Sequence, residues 1–283
     1  MVSEKLKELI EFGIINLDKP TGPTSFQAAE MAGKILKELG VKKFSHFGTL
    51  DPAVTGVLPV ALNRACKLTG WFMKKRKTYV GIMKLHKEID EKKLSEEMDK
   101  FLGKIMQLPP VKSRVKREER EREVYSWDIL EIDKENKEVL FDCEVEAGTY
   151  IRKLISDLGD KIGGAHMSEL RRTKAGIFSE DDSNFVNLYE LEKATQEAKE
   201  GKEEELIKII IPAEVALKKI IQVVEVKQEA VKKLLTGKPL FKQDVGKIEL
   251  DDNFAVFSGD RLIGVYRKTD EGEIIGRAEW VRN

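Results

Sequence analysis

The chain has 283 residues, room for two domains or for a large one and a small one, and its 50 Lys+Arg balance 50 Asp+Glu. A neutral total confines any nucleic-acid surface to a local patch, and the distant Cys66 and Cys143, with no C-x-x-C pair, argue against a disulfide scaffold or a cysteine zinc site. No apolar run approaches membrane length and no signal peptide opens the chain, so we expect a soluble intracellular protein working in the cytoplasm.

Residues 3–12 set Leu6 and Ile10 among charges, the pattern of a short amphipathic helix. Residues 14–17 read as a strand and 18–23 as a Pro/Gly turn. Ser25 is expected to cap a helix whose Ala28, Ala29, Ala32, Ile35, Leu36 and Leu39 share a face, with Gly40 as the stop. A polar, glycine-bounded loop follows at residues 45–56 and displays one acid, Asp51. Gly48 and Gly56 permit backbone conformations closed to other residues, and Pro52 pushes Asp51 towards extended geometry. Residues 57–62 are apolar on all sides, as in a central strand. An acid displayed on a turn ahead of a buried strand has the setting of a nucleophile; the alternative is an Asx turn in a structural loop.

Residues 65–73 look helical, and Tyr79 opens an alternating strand through Val80, Ile82, Lys84 and His86. Leu94, Met98, Phe101 and Leu102 mark another short helix. Residues 108–123 form a charged loop or hairpin, with strands expected at 124–132 and 139–145. Thr149 is placed to cap a helix that buries Ile151, Leu154, Ile155, Leu158 and Ile162. Residues 188–210 are helical and acidic, a solvated connector that Pro212 ends. Short strands at 222–226, 246–250, 254–258, 261–267 and 273–280, with one helix at 228–235, then dominate.

The stretch His46, Phe47, Gly48, Thr49, Leu50, Asp51, Pro52, Ala53, Val54, Thr55, Gly56 resembles the catalytic motif H-x-G-T-L-D-P-x-x-T/S-G of the TruB family of RNA pseudouridine synthases. Further blocks resemble the family's in the same order: an opening block over residues 13–25, a tyrosine block over 77–81, an arginine block over 147–155 and a closing block over 164–176. Their wording is closest to the guide-RNA-dependent, dyskerin-type branch, in its archaeal form. The resemblance implies an α+β fold: a catalytic domain over residues 1–220, with a mixed, largely antiparallel sheet flanked by helices, then a small β-rich PUA-like domain over 221–283. The amino-terminal helix is a candidate to pack on that second domain.

The implied reaction breaks a uridine's glycosidic bond, turns the uracil and joins its C5 to C1′, with no cofactor, metal or redox agent. By resemblance Asp51 is the nucleophile, and the residues leave open whether it attacks C1′ directly or after glycal formation. Arg152 lies out of register with its helix's apolar stripe, and the resemblance pairs it, as a buried guanidinium, with Asp51. Tyr79 corresponds to the tyrosine that stacks on the uracil; an unperturbed phenol is a poor base, so proton removal at C5 is the looser part of its role. His46 is implied to hold the flipped nucleotide, Leu170 to line the uracil pocket, and Lys19 with Pro20 to pack behind the tyrosine at the substrate site. Each has a structural alternative: a surface arginine, an amphipathic strand-end tyrosine, a hydrogen-bonding core histidine.

The target uridine must leave its stack, and RNA is expected on Lys42 and Lys43, on Lys74 to Lys77, on the loop carrying Lys116 and Arg117, and on Arg171, Arg172 and Lys174. The loop at 108–123 corresponds to the family's RNA-clamping thumb, although here Glu118, Glu119, Glu121 and Glu123 alternate with its cations and suit internal ion pairs. Phe47 stands where a small residue is usual, and either alters the pocket or packs inward. The chain runs from the tyrosine strand straight into a helix, without the T-x-D-x-x-G-like insertion of standalone tRNA synthases. The implied partners are therefore substrate RNA, an H/ACA guide RNA, and Nop-type, Gar-type and kink-turn-binding accessory proteins, with a standalone tRNA enzyme and a non-catalytic scaffold as the rival readings.

Overall fold

The computed structural model describes residues 2–109, 116–246 and 248–282. Contacts divide the chain into two units, Met1–Ile210 and Ile211–Asn283. The first contains α1 (Glu4–Glu11), β1 (Gly13–Lys19), α2 (Ser25–Ile35), β2 (Phe44–His46), β3 (Thr55–Leu62), α3 (Thr69–Met73), β4 (Lys77–Leu85), α4 (Glu91–Asp99), β5 (Gly103–Gln107), β6 (Arg120–Asp133), β7 (Glu138–Val145), α5 (Ile151–Ile162), β8 (Ala165–Ala175), β9 (Phe178–Ser179), β10 (Phe185–Val186), α6 (Leu188–Lys199) and α7 (Glu204–Ile209). β11 (Ile210–Pro212) lies at the division, and the second unit continues with α8 (Ala213–Lys218), β12 (Gln222–Glu225), α9 (Gln228–Leu234), β13 (Leu240–Phe241), β14 (Asn253–Ser258), β15 (Arg261–Glu271) and β16 (Ile274–Val281).

The large sheet runs β10-β1-β3-β8-β4-β7-β6-β5, with β2 on β3 and β9 on β8. Pairing is parallel at β10·β1 and β3·β8. It is antiparallel at β1·β3, β4·β8, β4·β7, β6·β7 and β5·β6. This is the expected α+β class with a mixed, largely antiparallel sheet. β3 is buried along nearly its whole length, while β4 alternates buried and half-buried residues, as a strand covered on one side does. One apolar cluster joins α1, α2, α6 and α7 to β1 and β3. A second joins α4 and α5 to β4, β6, β7 and β8.

Local details depart from the sequence reading. Ser25 does not cap α2: Thr24 does, in a reciprocal box with Gln27. This frees the Ser25 hydroxyl, whose part in the site is described below. Nor does Thr149 cap α5; the N-cap is Tyr150, with no side-chain cap bond. The buried Gln107 amide holds the Tyr150 backbone instead, accepting from its N–H at 3.0 Å and donating to its C=O at 3.3 Å. β5 and β8 come from stretches read without strands, and residues 246 and 248–250 lie outside any strand. α1 packs in the first unit, through Leu6, Leu9 and Ile10 in its apolar cluster and a 2.7 Å bond from Ser3 N–H to Glu203.

In the second unit the sheet order is β12-β14-β15-β16-β13, around a core that includes Phe254, Val256, Ile263 and Tyr266. The division falls earlier than the expected boundary after residue 220 because α8 belongs here: Lys218 pairs with Asp260 at 3.0 Å and Glu214 pairs with Arg282.

Candidate active site

The Asp51 loop joins β2 to β3, and its backbone groups have named partners on the protein side. Phe47 N–H donates to Pro59 C=O at 2.9 Å, and Val54 N–H closes a turn on Asp51 C=O at 3.0 Å. The Ser25 hydroxyl bridges both backbone groups of Leu50, accepting at 2.7 Å and donating at 3.0 Å. Gly48 and Gly56 hold φ of +122° and +98°, and a Cβ at Gly56 would stand 2.2 Å from Arg172 C=O, so only glycine fits there. The outer tip, Asp51 to Ala53, is exposed.

The Asp51 carboxylate accepts a hydrogen bond from Arg152 at the start of α5, 101 residues away in sequence. The pair is not buried as expected: the two side chains are 52% and 55% exposed. Arg152 occupies the second position of α5, on the solvent side of a helix that buries Ile151, Leu154, Ile155 and Leu158. An ion pair this open adds little stability, so its consequence is orientation.

Tyr79 and Leu170 share an apolar cluster with Leu50 and Val54, the residues flanking the exposed tip. Tyr79 is 7% exposed and Leu170 9%. Burial pushes the Tyr79 phenol above its ordinary range, and the neighbouring charge of Arg172 opposes that only in part. The phenol is therefore protonated at neutral pH. His46 is half-buried; burial first, and the Arg172 charge second, hold its imidazolium below the usual range. Phe47 packs inward, fully buried and stacked on Phe72 with ring centres 4.6 Å apart.

Lys19, expected at the substrate site, does not face solvent. It is fully buried at the end of β1, and its ammonium donates to the carbonyls of Pro20, Pro52 and Val54 at 2.8, 3.1 and 2.8 Å. Burial, and then the Arg172 charge, push the Lys19 ammonium below its usual range. Two expected RNA cations are likewise internal. Lys77 donates to the carbonyls of Met73 and Lys75 at 3.2 and 2.5 Å, and its pKa is pushed down to about 7 by burial and by Arg172. Arg172 is 1% exposed and bonds the carbonyls of Val57 and Gly48. Arg171 is half-buried and engaged by Asp18 and Glu180. Lys42, Lys43, Lys74 and Lys174 are exposed. Lys116 and Arg117 are exposed too, Lys116 being paired with Glu118, while residues 110–115 of the expected thumb lie outside the described residues.

Sequence reasoning missed Arg172, Lys77 and Ser25 as supports of the loop. The available signal was the period of β4 and β8, which turns Lys77 and Arg172 inward, but β8 had not been read as a strand. Among the described residues no three His, Cys, Asp or Glu side chains form a metal-holding group, and no helix is long and apolar enough to cross a membrane.

A mixed sheet that presents a lone carboxylate on a braced loop, gripped by an arginine from a distant helix, is the setting of a carboxylate-dependent enzyme rather than a passive module. Residues 36–151 match the N-terminal domain of the TruB family pseudouridylate synthases, and residues 152–218 match the tRNA pseudouridylate synthase B C-terminal domain. The chain belongs to the TruB family and is a pseudouridine synthase. It is 42% identical over 272 residues to the probable tRNA pseudouridine synthase B of Methanothermobacter thermautotrophicus, covering 95% of this chain and 79% of that protein. The protein of that name from Pyrococcus furiosus is 42% identical over 271 residues, covering 95% of this chain and 76% of the relative. Among solved structures, a Cbf5-Nop10-Gar1 complex matches with a TM-score of 0.88 at 38% identity, covering 98% of this chain and 86% of that one. An H/ACA RNP bound to a substrate RNA containing 2'-deoxyuridine matches with a TM-score of 0.86 at 37% identity, covering 98% and 86%.

Proposed function

We propose that the chain isomerises specific uridines of RNA, with Asp51 as nucleophile, as the catalytic subunit of an H/ACA guide ribonucleoprotein. The Asp51–Arg152 pair at the exposed tip of a braced loop carries the chemical part. The guanidinium aims the carboxylate. When an everted nucleotide covers the pair, exclusion of water strengthens every charge interaction within it. Tyr79 offers a ring for stacking on the uracil, and Leu170 an apolar wall beside it. The C1′–N1 bond breaks, the uracil turns, C5 bonds C1′, and the C5 proton is lost as N1 gains one; the product is an isomer of the substrate.

Likeness to guide-particle subunits over 98% of the chain supports the guide-dependent role. So does the short path from β4 to α4, residues 86–90, which leaves no room for the insertion expected of standalone tRNA synthases. By the same reading the second unit is PUA-like and holds the guide's 3′ ACA end, while Nop-type, Gar-type and kink-turn-binding proteins complete the particle. The name of the curated relatives favours a second reading, a standalone enzyme acting on the tRNA T-loop.

The test is pseudouridine formation by the purified 283-residue chain. One arm holds an unmodified tRNA transcript alone. The other holds a target RNA with an H/ACA guide and accessory proteins. Activity confined to the second arm is expected, and full activity on tRNA alone transfers the assignment to the standalone reading. Asp51→Asn is expected to abolish product in whichever arm is active; undiminished turnover by that variant would remove Asp51 as the nucleophile.

A further inference from the structure

Three cations, Lys19, Lys77 and Arg172, lie buried around the Asp51 loop, at 0%, 5% and 1% exposure. Burial and mutual repulsion act on them, and no carboxylate partner relieves any of the three among the described residues. Such an arrangement costs stability unless each charge is met by other acceptors. Lys77 meets carbonyls at the end of α3, and Lys19 meets the middle of the loop. Arg172 differs, because it lies between two separate catalytic elements. Its Nε donates to Val57 C=O at 2.7 Å and its Nη2 to Gly48 C=O at 3.2 Å, one on each side of Asp51. Its guanidinium also neighbours the Tyr79 phenol across the β8–β4 pairing, and its charge acts to lower the phenol's pKa. The backbone makes this possible: β8 lies between β3 and β4, and Arg172 is the register partner of Gly56 on one side and of Tyr79 on the other.

We propose that Arg172 is a positioning residue that ties the Asp51 loop to Tyr79, so that one guanidinium sets the carboxylate and the uracil-stacking ring in a single geometry. The inference rests on the roles proposed above for Asp51 and Tyr79. A planar fork with several fixed donor directions suits two carbonyls on either side of Asp51 with the Tyr79 phenol beside it. A lysine ammonium would place its charge at one point and could not span them. The charge also lies on the protein side of the loop, where it favours negative charge at the tip without touching RNA.

The test uses the 283-residue chain with Arg172→Lys and Arg172→Met, and reads Tyr79 directly. Tyrosine labelled with 13C at Cζ gives one signal per ring, and Tyr79→Phe identifies the relevant one. In Arg172→Met the Tyr79 signal should shift and titrate at higher pH than in the wild type, because the cation opposing the effect of burial is gone. His46, Lys77 and Lys19 are the other titratable groups around Arg172, and the shift should persist in a Lys77→Met background. In the RNA format that supports wild-type activity, single-turnover rates of both Arg172 variants should fall by about 10- to 100-fold at saturating RNA, the scale expected for an ångström of misplacement. RNA affinity should stay within about twofold, since a buried side chain neutralises no phosphate.

If Arg172→Met does not fold, Arg172→Lys and Tyr79→Phe carry the test. Tyr79→Phe deletes one oxygen, yet the amide signals of Gly48 and Val57 should move through the guanidinium. An unmoved Tyr79 signal in a folded Arg172 variant, or a wild-type rate in it while Asp51→Asn is inactive, overturns this inference and leaves the nucleophile in place. An active Asp51→Asn overturns the underlying assignment instead, whatever the Arg172 variants do.

Discussion

Replacing Lys19 by Met isolates the difference between a residue that touches RNA and one that holds the Asp51 loop. The side chain is fully buried and gives three hydrogen bonds to backbone carbonyls. Pro52 C=O keeps a second partner, Gly22 N–H at 2.9 Å, but Pro20 and Val54 lose their lysine donor. A buried carbonyl left bare costs about 1–3 kcal/mol. Met no longer has to bury an ammonium, an offset whose reality is seen in the lowered pKa of Lys19. The balance is a destabilisation of about 2 kcal/mol, which for a unit of this size lowers Tm by roughly 4–8 °C. The loop carrying Asp51 then loosens at Pro52 and Val54, on one flank of the carboxylate, and an ångström of displacement costs about 100-fold in rate. Thermal unfolding, single-turnover conversion at saturating RNA, and RNA binding across a salt series measure the three consequences. We expect a lower Tm, a slower step, and an unchanged salt slope, because the enclosed ammonium neutralises no phosphate. A wild-type rate and Tm, with a shallower salt slope, would refute the reasoning and return Lys19 to the RNA surface.

Lys77 gives a pH test. Its folded pKa of about 7 lies below its unfolded value of 10.5, so between those two the unfolded chain binds the extra proton. Stability therefore rises with pH across that window, by at most about 1.4 kcal/mol per unit, and falls off as pH drops towards 7. Denaturant titrations of wild type and Lys77→Met at several pH values should show the wild type gaining on the variant as pH rises; parallel curves would exclude a buried, depressed lysine. Phe47→Ala removes a fully buried ring stacked on Phe72 and tilted against Phe178, and should cost about 3–5 kcal/mol in unfolding free energy. A loss under about 1 kcal/mol would place the ring in a site that can collapse. Gln107→Ala strips both backbone groups of Tyr150 of their side-chain partner, and should destabilise by about 1–3 kcal/mol while slowing the reaction through Arg152, two residues on. Unchanged stability together with an unchanged rate would mean that the start of α5 needs no such anchor.

Elements legible from local pattern are those whose reasons are local. β3 shows an unbroken apolar run, the short 3-10 turn that follows α2 stops at Gly40, and α5 displays its stripe. The Asp51 motif is likewise contiguous, which is why a nucleophile, a family and a reaction could be argued before any contact was known. β8 was invisible for the opposite reason. It carries Glu169, Arg171, Arg172 and Lys174 in the middle of a sheet, and a charged strand does not read as central. Its charges are tolerated because the fold supplies acceptors from distant stretches: Asp18 and Glu180 for Arg171, Gly48 and Val57 for Arg172.

By itself, then, the order of residues determined most helices and strands, because propensity and periodicity act over a few residues, and its contiguous motifs carried the family resemblance from which the chemistry was read. Only the tertiary structure decided which cations face solvent and which lie inside, and that the Asp51–Arg152 pair is open rather than buried. Burial and hydrogen-bond partners are properties of segments far apart in the chain. The same lysine or arginine is an RNA contact or a brace depending on which side of a strand it leaves and what carbonyls the fold has brought there.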